Sequence, residues 1–258
     1  MFLVHAERQI FQPLSFGGRY AEIGVYLARY SQEILRYSPS VTYLIDPYTA
    51  PPYEELLPSD THLANPRELL TETFRTYYPD GIETAIPNAF ETARSTFENN
   101  PTVHFVRKTS QDAVDDFANG SLDYMHLDAN NRFDFVLANL RRWEAKMAPD
   151  AFIVADNCYV SPIGERQFIS ALEAVSRFIK SSDWCALAIS NRWFSNVLLC
   201  RRSAIERNSG KLLSVLLESN TPFSELPNES IHSVRHKYVK HADANGAIMT
   251  KEYISFAD

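Results

Sequence analysis

A chain of 258 residues, 45% hydrophobic and 22% charged, is long enough for one large α/β domain with a filled core. Its formal charge of −7 argues against a general nucleic-acid binder, which presents a basic face to phosphates. Three cysteines (Cys158, Cys185 and Cys200) without paired spacing exclude a disulfide framework or a zinc site, and no run approaches the roughly 18 apolar residues of a membrane-spanning helix.

Met1–Arg8 has no basic stretch followed by a long apolar one, so no signal peptide is expected and the chain reads as cytoplasmic. Short apolar runs then alternate with longer amphipathic segments, the mark of repeated βα units. Strands are expected near Tyr20–Val25, Val41–Asp46, Val103–Arg107, Leu122–Asp128 and Ala151–Asp156. Helices fit at Ala28–Tyr37, Gln111–Phe117, Phe133–Met147 and Glu165–Ile179. In the third of these, Phe133, Val136, Leu137, Leu140, Trp143 and Met147 share one helical face. Two further strands, near Cys185–Ser190 and Ser195–Arg201, are separated only by Asn191–Phe194. That is too short for a crossover helix, so they should pair as an antiparallel hairpin. The predicted fold is an α/β, Rossmann-like, doubly wound sheet of seven strands, mostly parallel, ending in this hairpin.

Residues 47–81 interrupt the pattern with Pro47, Pro51, Pro52, Pro58, Pro66 and Pro79, although Arg67–Tyr77 fits a short helix. Following the second strand, this insertion would lie over the ligand-binding edge as a lid, an oligomer contact or a plain connection. The domain is expected to span residues 1–202. Residues 203–258 form a C-terminal extension with a helix near Lys211–Glu218, serving as a cap or a dimer arm.

Asp128 follows the apolar run Tyr124–Leu127, and Asp156-Asn157 follows Ala151–Ala155. Ligands of open parallel sheets bind at the carboxyl ends of strands. Three hard oxygen donors side by side there would suit Mg²⁺ or Ca²⁺. Taken singly, each residue reads first as a turn residue or helix N-cap, the usual reason for Asp or Asn after a strand.

The segment Glu22–Ser31 resembles the first motif of class I S-adenosylmethionine (SAM) dependent methyltransferases, in the version of the small-molecule O-methyltransferases. Tyr43–Asp46 resembles their second strand, whose terminal acid holds both ribose hydroxyls. Ser110-Gln111-Asp112 stands where the family contacts adenine. Gly120–Phe133 is similar to the fourth strand and its turn, and Asp150–Asn157 to the fifth strand and the metal-binding Asp-Asn. The resemblance covers residues 18–202, and the spacing of Asp128 and Asp156 also suits the metal-dependent enzymes of the catechol type. It implies a SAM site of Glu22, Gly24, Tyr26, Ser31, Asp46, Ser110, Gln111 and Asp128, with Gly24 letting the backbone approach the methionine portion. It implies Mg²⁺ on Asp128, Asp156 and Asn157, and a small-molecule substrate. The catalytic positions are Asp128, Asn131 and His126.

Two departures bear on mechanism. Ala28 stands where the family has a second glycine, and Asn131 stands where related enzymes have a His or Lys base. Asparagine takes no proton at neutral pH, and Arg132 beside it stays protonated. His126 is then either a core histidine or the base; His62, Tyr159 and His241 qualify only by lying in segments that could cover the site. The reaction expected is Mg²⁺-dependent O-methylation of a small molecule with adjacent oxygens. Phenols are preferred, since a hydroxyl of pKa ~10 needs only a modest downward shift to ionise. The competing readings are metal-independent N- or O-methylation and a catalytically degenerate methyltransferase fold that binds a partner. The family and the extension also suggest a homodimer. A nicotinamide enzyme does not fit, because no G-x-G-x-x-G follows the first strand.

Overall fold

The computed structural model describes residues 1–50, 64–160, 164–165, 167–191, 194–242 and 248–256. His62, Trp193 and the side chain of His241 lie outside the described residues. The apolar runs become strands of one nine-stranded sheet: β1 (Phe2–Val4), β2 (Arg19–Ile23), β3 (Val41–Ile45), β4 (Val103–Val106), β5 (Leu122–Leu127), β6 (Met147–Ala155), β7 (Trp184–Ser190), β8 (Val197–Arg201) and β9 (Phe223–Glu225). Their spatial order is β4-β3-β2-β5-β6-β8-β7-β1-β9. Strands β4 to β6 run parallel, and β8 is antiparallel to both β6 and β7, as the short connection requires.

The seven expected strands form the body of the sheet. Two three-residue strands extend it: β1 pairs parallel with β7, and β9 pairs antiparallel with β1. Strands this short leave no periodicity to read, and they cover what would be the open edge of β7. Every residue of β7 is buried, the continuous apolar pattern of a strand covered on both faces. Along β6, Ala151, Ile153 and Ala155 enter the core on one face, while Phe152 and Val154 enter that on the other.

The helices are α1 (Arg29–Ile34), α2 (Pro66–Tyr77), α3 (Ile82–Phe97), α4 (Ser110–Ala113), α5 (Phe133–Trp143), α6 (Ala171–Lys180) and α7 (Ile205–Glu218). Short 3₁₀ turns continue α1, α4 and α5, so the expected helices there end in a tighter final turn. α3 was not anticipated. It buries Ala89, Ala93 and Phe97, at i, i+4 and i+8, against Leu44 and Tyr48, but carries Pro87 inside it. α7 buries Leu212 and Leu216 in the sheet's core, and Ile231 and Val234 enter the opposite core. β10 (Arg235–Ala242) and β11 (Ile248–Ser255) form a separate antiparallel pair. Among the described residues no helix is long and apolar enough to cross a membrane.

From β2 the chain winds outward through β3 to β4, then returns to β5 on the other side of β2. This reversal opens a crevice at the carboxyl ends of β2 and β5. The strands stay in register there: Gly24 donates to Ile45 O at 3.0 Å, Asp128 to Ile23 O at 2.9 Å and Asp156 to Leu127 O at 3.0 Å. Gly24, Asp128 and Asp156 therefore stand in a row along the crevice.

Candidate active site

Gly24 has φ +84°, and a Cβ there would lie 2.2 Å from Asp128 O and 2.6 Å from Ala129 Cα. Glycine is thus demanded by the close approach of the β2 and β5 ends. The loop then passes through positive φ at Tyr26 (48°) and Ala28 (54°). Alanine takes the left-handed conformation that the expected glycine would have taken, with its methyl fully buried.

Asp46 reaches from the end of β3 to hold this loop. Its Oδ2 accepts from Val25 N at 2.9 Å and Tyr26 N at 3.1 Å, and its Oδ1 from Tyr48 N at 2.7 Å. A carboxylate offers about four acceptor sites, so one remains for an outside hydroxyl where two ribose bonds were expected. Ser110 and Gln111 lie at the end of β4, the third strand in the row. The Ser110 hydroxyl donates to Asn139 Oδ1 at 2.5 Å, and Gln111 is exposed.

Glu22 and Ser31 turn inward. The Ser31 hydroxyl donates to Glu22 Oε2, which also accepts from the Tyr20 hydroxyl at 3.2 Å, and both residues are buried. Burial pushes the Glu22 carboxyl up to about 7, against the opposing effect of its two hydroxyl donors. Their side chains therefore brace the loop from beneath and do not reach its open side.

Beyond Gly24 lies a cluster of charge. His126, Asp128 and Asp156 bring one ligand atom each within 4.8 Å of one another. His126 is fully buried and stacked on Tyr30 at 3.9 Å between ring centres. Its Nε2 lies 3.6 Å from Asp156 Oδ2 and its Nδ1 3.8 Å from Glu22 Oε1, beyond hydrogen-bond reach. Neither nitrogen has a hydrogen-bond partner among the described residues. Burial lowers its pKa to about 3. The buried ring is therefore neutral, as a core histidine would be.

Asn157 follows in the left-handed region (φ 54°); its backbone N–H donates to Asp156 Oδ1 at 2.8 Å and its amide to Asp128 Oδ1 at 3.2 Å. The amide must turn over to offer oxygen to a metal. With that turn, two carboxylates and a carbamoyl oxygen make a donor set suited to a hard dication. Asn131 belongs to the turn into α5, its carbonyl accepting from Ser170 N at 2.9 Å. Tyr159 is buried, its ring packed 5.2 Å from that of Phe194 and its hydroxyl 3.4 Å from Gln167 Oε1.

One residue of the site was not singled out from the sequence. Arg8 Nη1 lies 3.0 Å from Asp128 Oδ2 and also pairs with Asp156 Oδ2. Its partners are 120 and 148 positions away, so no local signal marks it. Arg8, Asp128, Asp156 and Asn157, with Glu7, Gln9, Phe194 and Asn196, line a cleft of about 320 Å³. The insertion reaches this edge: Tyr78, just beyond α2, packs edge-on against Tyr26 at 5.6 Å, and the Tyr77 hydroxyl accepts from Gln167 Nε2 at 3.4 Å.

Residues 22–158 match a family model described as a methyltransferase domain. No curated protein matches the chain. Among solved structures, cofactor-bound Rv0187 from MTB is 16% identical, with 78% of this chain and 82% of that one covered and a TM-score of 0.52. The SAH-bound methyltransferase PaMTH1 of Podospora anserina is 10% identical, with coverage of 75% and 76% and a TM-score of 0.50. At such identities the likeness establishes the fold. The family match spans more than half of the chain, including the Gly24 loop, Asp46, Asp128 and Asp156, and places the protein in the methyltransferase-domain family as a class I SAM-dependent methyltransferase.

Proposed function

We propose that the protein methylates an oxygen of a small molecule bearing adjacent oxygens, with Mg²⁺ held by Asp128, Asp156 and Asn157. The observation that carries this reading is the approach of one ligand atom each from His126, Asp128 and Asp156 to within 4.8 Å of one another at the crevice mouth. When bound, SAM supplies the methyl group as an activated sulfonium. When bound, Mg²⁺ would orient two neighbouring substrate oxygens and lower the pKa of a coordinated hydroxyl.

The chain's own residues would do the rest. The Gly24–Ala28 loop and Asp46 would hold the methionine and ribose portions, with Tyr26 beside them; Ser110 and Gln111 would border the adenine. Glu22 and Ser31 would support the loop from below. Asp128 stands between the cofactor loop and the cleft, so it would touch both. Phe194 and Asn196 would contact the substrate from the far wall, and α2 with Tyr78 would close over the edge as a lid. With Asn131 unable to take the proton and His126 buried beneath the site, the reading favours a hydroxyl that ionises readily, a phenol rather than a sugar alcohol. The same reading treats residues 1–202 as the catalytic unit, with 203–258 packed on it or pairing two copies, in a cytoplasmic setting.

A second reading has one observation in its favour: the Arg8 guanidinium already bridges both carboxylates, as a metal-independent N- or O-methyltransferase would need. Methyl transfer to a catechol-like probe, assayed with Mg²⁺ and with EDTA, separates the two. Transfer abolished by EDTA and restored by Mg²⁺ is expected; transfer that EDTA leaves unchanged would select the metal-free reading.

A further inference from the structure

We propose that Arg8 is an exchangeable occupant of the dication seat, so that metal loading and docking of the Arg8 side chain are mutually exclusive states of one site. The inference rests on the reading of Asp128 and Asp156 as metal ligands. A single nitrogen, Nη1, faces an oxygen of each carboxylate, the position a shared metal ion would take. Guanidinium and dication cannot both sit there, because like charges a few ångströms apart in a partly dehydrated cleft repel strongly. Either alone suffices chemically, but differently. Arg8 leaves the pair of carboxylates with one net negative charge, whereas a dication neutralises both.

A second feature points to a cation other than Arg8. The buried His126 ring keeps both nitrogens without a hydrogen-bond partner, with Nε2 3.6 Å from the same Asp156 oxygen. The guanidinium pairs with the carboxylates and leaves the ring without a partner, a cost that a metal ion within reach of His126, Asp128 and Asp156 together would relieve.

The architecture permits the exchange. Arg8 opens the 3₁₀ helix Arg8–Ser15, which is anchored by buried Phe11, Gln12 and Ser15. The Arg8 side chain itself is 31% exposed and also rests over the Tyr30 ring at 5.0 Å. It can therefore swing into the cleft while the helix stays packed. Asp156 cannot follow it, being only 3% exposed, and an unpaired buried carboxylate is costly. Arg8 therefore leaves when a metal arrives, and it returns when the metal departs.

Mn²⁺ binding, measured from the free-ion electron paramagnetic resonance signal, tests this on the full chain. Arg8→Gln is expected to bind Mn²⁺ at least about tenfold more tightly than the natural protein, because a competing ligand has been removed. Arg29→Gln, which removes the same charge from an exposed position at the start of α1, should change affinity by less than about twofold. Equal affinities in the natural protein and Arg8→Gln would overturn the inference while leaving the metal reading intact, and so would an equal gain in Arg29→Gln. Absence of binding in both the natural protein and Arg8→Gln would overturn the metal reading and the inference together. Should Arg8→Gln fail to fold, Arg8→Met serves instead: it keeps an apolar stem and removes the charge, so tighter Mn²⁺ binding is again expected, and an unchanged affinity would again overturn the proposal.

Discussion

Glu22 and His126 sit 3.8 Å apart beneath the site, and burial drives their ionisation in opposite directions in pH. The Glu22 carboxyl rises from 4.5 to about 7, so between those values the native state holds a proton that the unfolded chain has released, and stability falls as pH rises. The His126 ring drops from 6.5 to about 3, so between those values the unfolded chain holds the extra proton, and stability rises with pH. The two slopes oppose each other between 4.5 and 6.5. Glu22→Gln removes one of them: urea midpoints should then climb from pH 3 to 6.5 without a plateau. A plateau retained in the variant would refute this assignment. Gly24→Ala tests the backbone contact instead. With Asp128 O 2.2 Å from the new Cβ and φ at +84°, a loss on the order of 3 kcal/mol is expected in denaturant unfolding. A loss below about 1 kcal/mol would show that the two strand ends can part cheaply. Ala28 is tolerated at positive φ because its strain, about 1–2 kcal/mol, is offset by the buried methyl, worth about 0.8 kcal/mol, and by the lower chain entropy of alanine.

At the scale of elements, what could be read from the sequence followed the strength of the local pattern. β5, β6 and β7 are apolar runs covered on both faces, and α5 shows one apolar stripe, so each was visible; so was the β7–β8 hairpin, from the shortness of its connection. The edge strands β1 and β9 were not, because three residues carry no period. α3 was hidden by Pro87 and by the proline-rich stretch before it. The strand-end positions of Asp128 and Asp156 were legible because ligands of an open sheet gather at its carboxyl edge, whereas Gly24 and Asp46 were marked only by the family resemblance. Arg8 was not, since only long-range packing brings it there. The insertion gives an element-scale test. Tyr78→Ala removes the edge-on contact that seats the end of α2 on the Gly24 loop, and should weaken S-adenosylhomocysteine binding by about 0.5–1.5 kcal/mol in calorimetry. Unchanged affinity would assign α2 a role away from the cofactor.

Across the whole molecule, the sheet gathers one function at one edge. Chain reversal between β2 and β5 opens the crevice, and the N-terminal segment delivers Arg8 to its mouth. The far wall is tied to the β10–β11 pair through His236, whose Nε2 lies 2.8 Å from the Ser195 hydroxyl and whose backbone N–H donates to Val160 O at 3.1 Å. The Arg8 guanidinium lies between Asp128 and Asp156, at the position proposed above for the dication. The decisive measurement is calorimetric titration of Mg²⁺ into the protein saturated with S-adenosylhomocysteine. A saturable one-site heat, stronger in Arg8→Gln and absent in Asp156→Ala, is the expected result; no saturable heat in either the natural protein or Arg8→Gln would contradict the metal-dependent mechanism.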